Sequence, residues 1–230
     1  MKPMPDMNEF AQRCHVASEA KGWTNLNRTD AQTINLMVSE NSEAVEDFRN
    51  KRGVDEIYYE VSYVESDEAN APKMVQIMST AELSEFRENE GGSYRIKGAK
   101  PCGIPIELAD TVIRIGQQCG THGLDLRAHF GMVAGEGIVN REDFNAMLAD
   151  ATMYLSEAWR HSPQYNSSSP GTTISEGDDD MKYFFTRALA RALTSITLFC
   201  TRHGIDLWAA VEEKMAYNET RPMLHGGKAI

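Results

Sequence analysis

The sequence predicts an all-α fold: a helical bundle of two related helical-hairpin halves, with a small irregular or β-containing insertion near 54–99. Three observations carry this. Apolar residues recur at helical spacing over most of the chain. A connector, His122-Gly123-Leu124-Asp125-Leu126, returns as His203-Gly204-Ile205-Asp206-Leu207. β-Favouring residues gather in one run, IYYEVSYV at 57–64.

The elements follow in order. Residues 7–21 form a first helix, with Phe10, Cys14, Val16 and Ala17 at roughly helical spacing. GWTNLNR at 22–28 breaks it, and Thr29 or Asp30 N-caps a second helix over 31–50. Ile34, Met37, Val38, Val45 and Phe48 are its candidate core face. The insertion holds the strand at 57–64 and a turn at Gly91-Gly92. A central helix starts after Pro105, taken as its first residue, and runs to about Gly120. A further helix covers 141–160. A Ser/Pro/Gly-rich loop at 162–171 and an acidic stretch at 176–180 read as a mobile linker. A long helix over 181–203 and a short one over 207–218 complete the chain.

In each connector the Gly suits the left-handed residue that ends a helix, and the Asp N-caps the next. Aligned on the connectors, Glu107-Leu108-Ala109-Asp110 falls opposite Ala188-Leu189-Ala190-Arg191. The preceding helices place Glu40 opposite Ala151 and Glu43 opposite Tyr154. The expectation is one compact unit of two parts: an acid-bearing half, 1–130, and an acid-free half, 131–230. Two unrelated hairpins with a common connector would give the same pattern.

Composition narrows the function. The net charge is −11, which disfavours nucleic-acid polymers and anionic membranes but leaves a small anion bridged by metal ions. The four cysteines form no C-x-x-C pair and read as reduced thiols. No apolar run of signal-peptide or membrane-span length occurs, so the expected location is cytoplasmic. The 12 methionines suit core gaps, and no E-x-x-H pair supports a di-iron bundle.

The chemistry sits in two acidic pairs. Glu40 and Glu43 lie three apart on one helix, and Glu107 and Asp110 three apart on another, so each pair shares a face. If the helices pack antiparallel, four carboxylates converge and repel unless divalent cations lie among them. Mg2+ suits such hard oxygen ligands and leaves room for substrate phosphates. The same spacing also fits a solvated helix face, with Arg114 pairing along its own helix.

KPCGIPIELADTVIR at 100–114 resembles the second metal motif of the MazG-like all-α nucleoside triphosphate pyrophosphohydrolases, and SENSEA at 39–44 resembles their first. KMAYNETRPMLHGGK at 214–228 is similar to the family's terminal K-x-x-Y-N-x-x-R-P-x-x-H-G-G-K segment. The resemblance implies hydrolysis of a (d)NTP to a monophosphate and pyrophosphate. It implies Mg2+, with Mn2+ able to substitute, on Glu40, Glu43, Glu107 and Asp110. It makes Lys214, Tyr217, Asn218, Arg221, His225 and Lys228 substrate-binding, and Trp23 and Asn25 base-contacting. The chain departs from the family in its long gap between Glu43 and Glu107 and in Ser39, where many members carry another Glu. The alternatives are dUTP or dCTP hydrolysis of the dimeric dUTPase type, a nucleotide-binding regulator without turnover, and a structural helical protein. A homo-oligomer is compatible with all of them.

Overall fold

The computed structural model describes residues 1–23, 28–65, 73–89, 94–165 and 179–223. These hold α1 (Met7–Ala20), α2 (Asp30–Arg49), β1 (Tyr58–Val64), β2 (Met74–Ser79), α3 (Thr80–Glu88) and β3 (Arg95–Cys102). They also hold α4 (Ile104–His122), α5 (Leu126–Ala134), α6 (Phe144–Arg160), α7 (Asp179–Arg202) and α8 (Leu207–Thr220). The fold is mainly helical with one small antiparallel sheet of order β2-β1-β3.

Helix α4 is the hub. It packs against α1, α2 and α8, and most of its residues are buried, as expected of a helix surrounded by others. Helix α1 comes close because α4 offers glycines there. A Cβ on Gly120 would lie 2.6 Å from the Ala11 carbonyl oxygen, and one on Gly116 2.8 Å from the Phe10 ring. Gly120→Ala must push the two helices apart, and overpacking of this kind costs about 1–3 kcal/mol. We expect a lower urea midpoint at unchanged slope; an unchanged midpoint contradicts this packing.

Thr29 caps α2, its side chain and that of Gln32 forming a reciprocal capping box. On α1 the buried stripe is Met7, Phe10, Ala11, Cys14 and Ser18, which corrects the expectation for Val16. Position 16 lies two residues from Cys14, on the far side of the helix, and is 51% exposed. Phe48 is likewise partly exposed and rests its ring on Phe144, 5.0 Å between centroids.

The insertion is more regular than its composition suggests. One sheet face, with Tyr59, Val61 and Ile96, packs on Leu83 and Phe86 of α3. Strand β3 runs on to Cys102, so residues 100–102 are strand rather than the approach to a helix. Helix α4 then starts at Ile104, one residue before Pro105. Gly103 makes this abrupt turn at φ 112°, where a Cβ would sit 2.3 Å from the Glu56 carbonyl oxygen. The expected linker is also corrected at its start. Ser162 and Gln164 are buried, and Gln164 accepts a hydrogen bond from the Asp30 backbone N–H at 2.7 Å. Residues 166–178 and the expected turn at Gly91-Gly92 lie outside the described residues.

The two connectors adopt the same local structure. Gly123 and Gly204 are left-handed, with φ of 62° and 69°. Leu124 N–H bonds Cys119 O and Ile205 N–H bonds Cys200 O, each at 2.9 Å. Asp125 caps α5 and Asp206 caps α8. The helices that follow are exchanged: α5 packs on α7, and α8 packs on α4.

Candidate functional site

Helices α2 and α4 run antiparallel, because early residues of one bond late residues of the other. Asp30 lies 2.6 Å from the Gln118 amide and 2.9 Å from His122 Nε2, while Glu40 meets Arg114. Midway, the buried Thr111 hydroxyl donates to Asn41 Oδ1 at 3.0 Å, and the Asn41 amide donates to Thr152 of α6. These bonds fix the register that brings the two acidic pairs together. Gly103 sets the start of α4 and thus the position of Glu107, whose N–H bonds the Gly103 carbonyl.

The solvated-face alternative does not describe Glu40 and Glu107, although Glu43 is exposed. Glu40 and Glu107 are 6% and 4% exposed. One carboxylate oxygen from each of Glu40, Glu43 and Glu107 falls within 4.8 Å of the others. Two of the four acids already have cationic partners. Arg114 holds Glu40 with contacts of 2.9 and 2.6 Å, rather than Asp110 on its own helix. Lys214 of α8 holds Asp110 at 2.7 Å. The four-fold repulsion expected from spacing is therefore partly relieved within the chain.

Burial pushes the Glu107 carboxyl up to about 8; Lys214 opposes this, while Asp110, Glu43 and Glu40 add to it. Burial also raises Glu40, against the pull of Arg114. Burial alone lowers Lys214, but Asp110 and Glu107 outweigh it and keep the ammonium charged above its ordinary range. Burial thus makes the Glu107 carboxyl hold its proton more tightly than an ordinary carboxyl, and a cation among these oxygens would compete with that proton.

The acids line a cavity of about 530 Å³. Four carboxylates and five cationic groups, Arg28, Lys100, Arg114, Lys214 and Arg221, share its wall. A strongly acidic chain therefore presents a cavity with no acidic excess. A second cavity of about 610 Å³, mostly apolar, adjoins it between α1 and α8. Trp23, Ile113, Gln117 and Asn218 line both.

Of the residues expected to bind substrate, Trp23, Lys214, Asn218 and Arg221 reach the acid cavity. Lys214, Asn218 and Arg221 follow one another at helical spacing on α8 and at its end. Tyr217 is not among the residues that line it. It faces a cleft shared with Tyr59 and Glu213, where the Tyr59 hydroxyl donates to Glu213. There its ring lies under the Arg221 guanidinium, 5.9 Å from centroid to Cζ. Asn25, His225 and Lys228 lie outside the described residues. The sequence reading gave no site role to Lys100, Gln117 or Arg28, and Arg114 pairs with Glu40 rather than along its own helix as the solvated-face alternative has it. Gln117 continues the face of Asp110 and Arg114, so helical spacing could have revealed it; nothing around Arg28 marks it.

No family model, curated protein or solved structure matches the chain. Among the described residues no helix is long and apolar enough to cross a membrane. The cysteines Cys14, Cys102, Cys119 and Cys200 are buried free thiols. The acid cluster itself offers only carboxylate oxygens, a hard donor set that fits Mg2+ or Mn2+ better than a softer metal.

Proposed function

We propose that this chain hydrolyses a nucleoside triphosphate between its α and β phosphates, giving a nucleoside monophosphate and pyrophosphate. The observation that carries the reading is the meeting of four carboxylates and five cationic groups in one cavity beside an apolar one that shares Trp23. Glu40, Glu43 and Glu107 would hold Mg2+, with Asp110 beside them. When bound, the ion supplies charge neutralisation and polarises phosphate oxygens and water.

The chain's own groups do the rest. Lys214, Asn218 and Arg221 donate to phosphate oxygens, where charge grows on the departing pyrophosphate. Glu43 is exposed and has no ion pair among the described residues, so it takes the proton of the attacking water. The water oxygen bonds to the α phosphorus as the bond to the bridging oxygen breaks. Trp23 offers an aromatic face to the base, a contact worth about 1–3 kcal/mol that tolerates every base.

The paired connectors and the exchange of α5 with α8 support a duplicated hairpin with a single site. At the positions matching the acids, the second half has Ala151, Tyr154, Ala188 and Arg191. Arg191 lies over the Tyr154 ring at 5.6 Å and pairs with Glu136 at 3.2 Å. Arg191 thus stands where Asp110 would, and none of these four matching positions carries an acid.

The test is a panel of NTPs and dNTPs with Mg2+, separating pyrophosphate from phosphate. Pyrophosphate and a monophosphate are expected, with no turnover in excess chelator. Magnesium-dependent nucleotide binding without turnover would instead support a regulator.

A further inference from the structure

Arg28 stands just before the N-cap of α2 and lines the acid cavity. Its side chain is partly buried, and its Nε is fully buried with no hydrogen-bond acceptor. Among the described residues its guanidinium has no ion pair. Its charged neighbour is another cation, Arg114, and burial together with that charge lowers its hold on its proton. The other two inner cations differ: Arg114 is neutralised by Glu40, and Lys214 by Asp110.

Removing a guanidinium from water beside a like charge is unfavourable unless an anion joins it. The guanidinium fork matches phosphate oxygens, with several N–H groups donating in one plane. Its place in the cavity suits a polyanion. The antiparallel packing puts Arg28 toward the Arg114 and Gln117 end of α4, away from the Glu43 and Glu107 end. A chain of phosphates reaching from the carboxylates would meet it.

We infer that Arg28 is a substrate ligand, donating to phosphate oxygens of the polyphosphate from the end of the cavity opposite the Glu43–Glu107 carboxylates. This rests on the proposed nucleotide hydrolysis and adds to it a residue that none of the sequence motifs contains. Without substrate, Arg28 is an uncompensated charge. Its removal therefore weakens binding without weakening the fold, which separates this role from a structural one.

The experiment is calorimetric titration of the full chain with tripolyphosphate at fixed Mg2+, alongside thermal melts. Arg28→Gln is expected to bind at least about tenfold more weakly, with a melting temperature equal to or above that of the wild type. Arg28→Lys should regain part of the affinity, because a point charge replaces the fork. If Arg28→Gln binds tripolyphosphate as the wild type does, or melts lower, the assignment of Arg28 is wrong while wild-type hydrolysis still stands. If the wild type neither binds tripolyphosphate nor hydrolyses any NTP, the proposed function fails and takes this inference with it.

Discussion

Glu107→Gln is expected to abolish hydrolysis while leaving the helical content unchanged. The amide keeps the shape of the side chain but removes one of the converging carboxylates. Even partners one step removed from a metal ligand matter by about 10–100-fold, so loss of a ligand should exceed 100-fold. The same substitution has a signature in stability. In the metal-free protein, Glu107 has its carboxyl raised to about 8 from an ordinary 4.5, chiefly by burial. Between those values the folded state binds more protons than the unfolded one, so stability falls as pH rises through that window. Each pH unit corresponds to about 1.4 kcal/mol. Chelated wild type should therefore melt progressively lower from about pH 5 to pH 8. Glu107→Gln should flatten that slope, and Mg2+ should restore the wild type alone. Parallel melting curves for the two proteins would contradict the assigned environment of Glu107.

Lys214→Met is expected to destabilise the fold and to remove activity as well. Lys214 is 3% exposed and its partner Asp110 is largely enclosed. Taking one member from a buried ion pair leaves the other uncompensated, at a cost of about 3–5 kcal/mol. Glu107 also loses the cation that opposes its rise, so its proton should be held more tightly still. Adding Asp110→Leu to Lys214→Met should recover much of the stability and none of the turnover. Equal stability of Lys214→Met and wild type, by chemical unfolding at pH 7, would show that the pair does not hold α8 to α4.

The helices were legible because their signals are local. Thr29, Asp125 and Asp206 cap where the sequence places caps, and Gly123 and Gly204 take the left-handed turns. The two acidic pairs were legible through i,i+3 spacing. What escaped is set by contacts between distant segments. Arg114 has Asp110 four residues back, yet it reaches Glu40 on α2. Lys214 reads as a phosphate clamp, but its nearest anion in the folded chain is Asp110. Tyr217 turns to Tyr59 because the sheet lies against that side of α8. The extension of β3 to Cys102 depends on pairing with Tyr58, which no window around the motif contains. Val16 falls out of step with Phe10 and Cys14, six and two residues along α1, and so turns away from the face they bury.

The most direct measurement is hydrolysis of a turned-over nucleotide in water enriched in oxygen-18, with mass analysis of both products. The account predicts one heavy oxygen in the nucleoside monophosphate, none in the pyrophosphate, and no label in either when Mg2+ is chelated. Heavy oxygen in released orthophosphate, or no turnover of any nucleoside triphosphate with Mg2+ present, would contradict it.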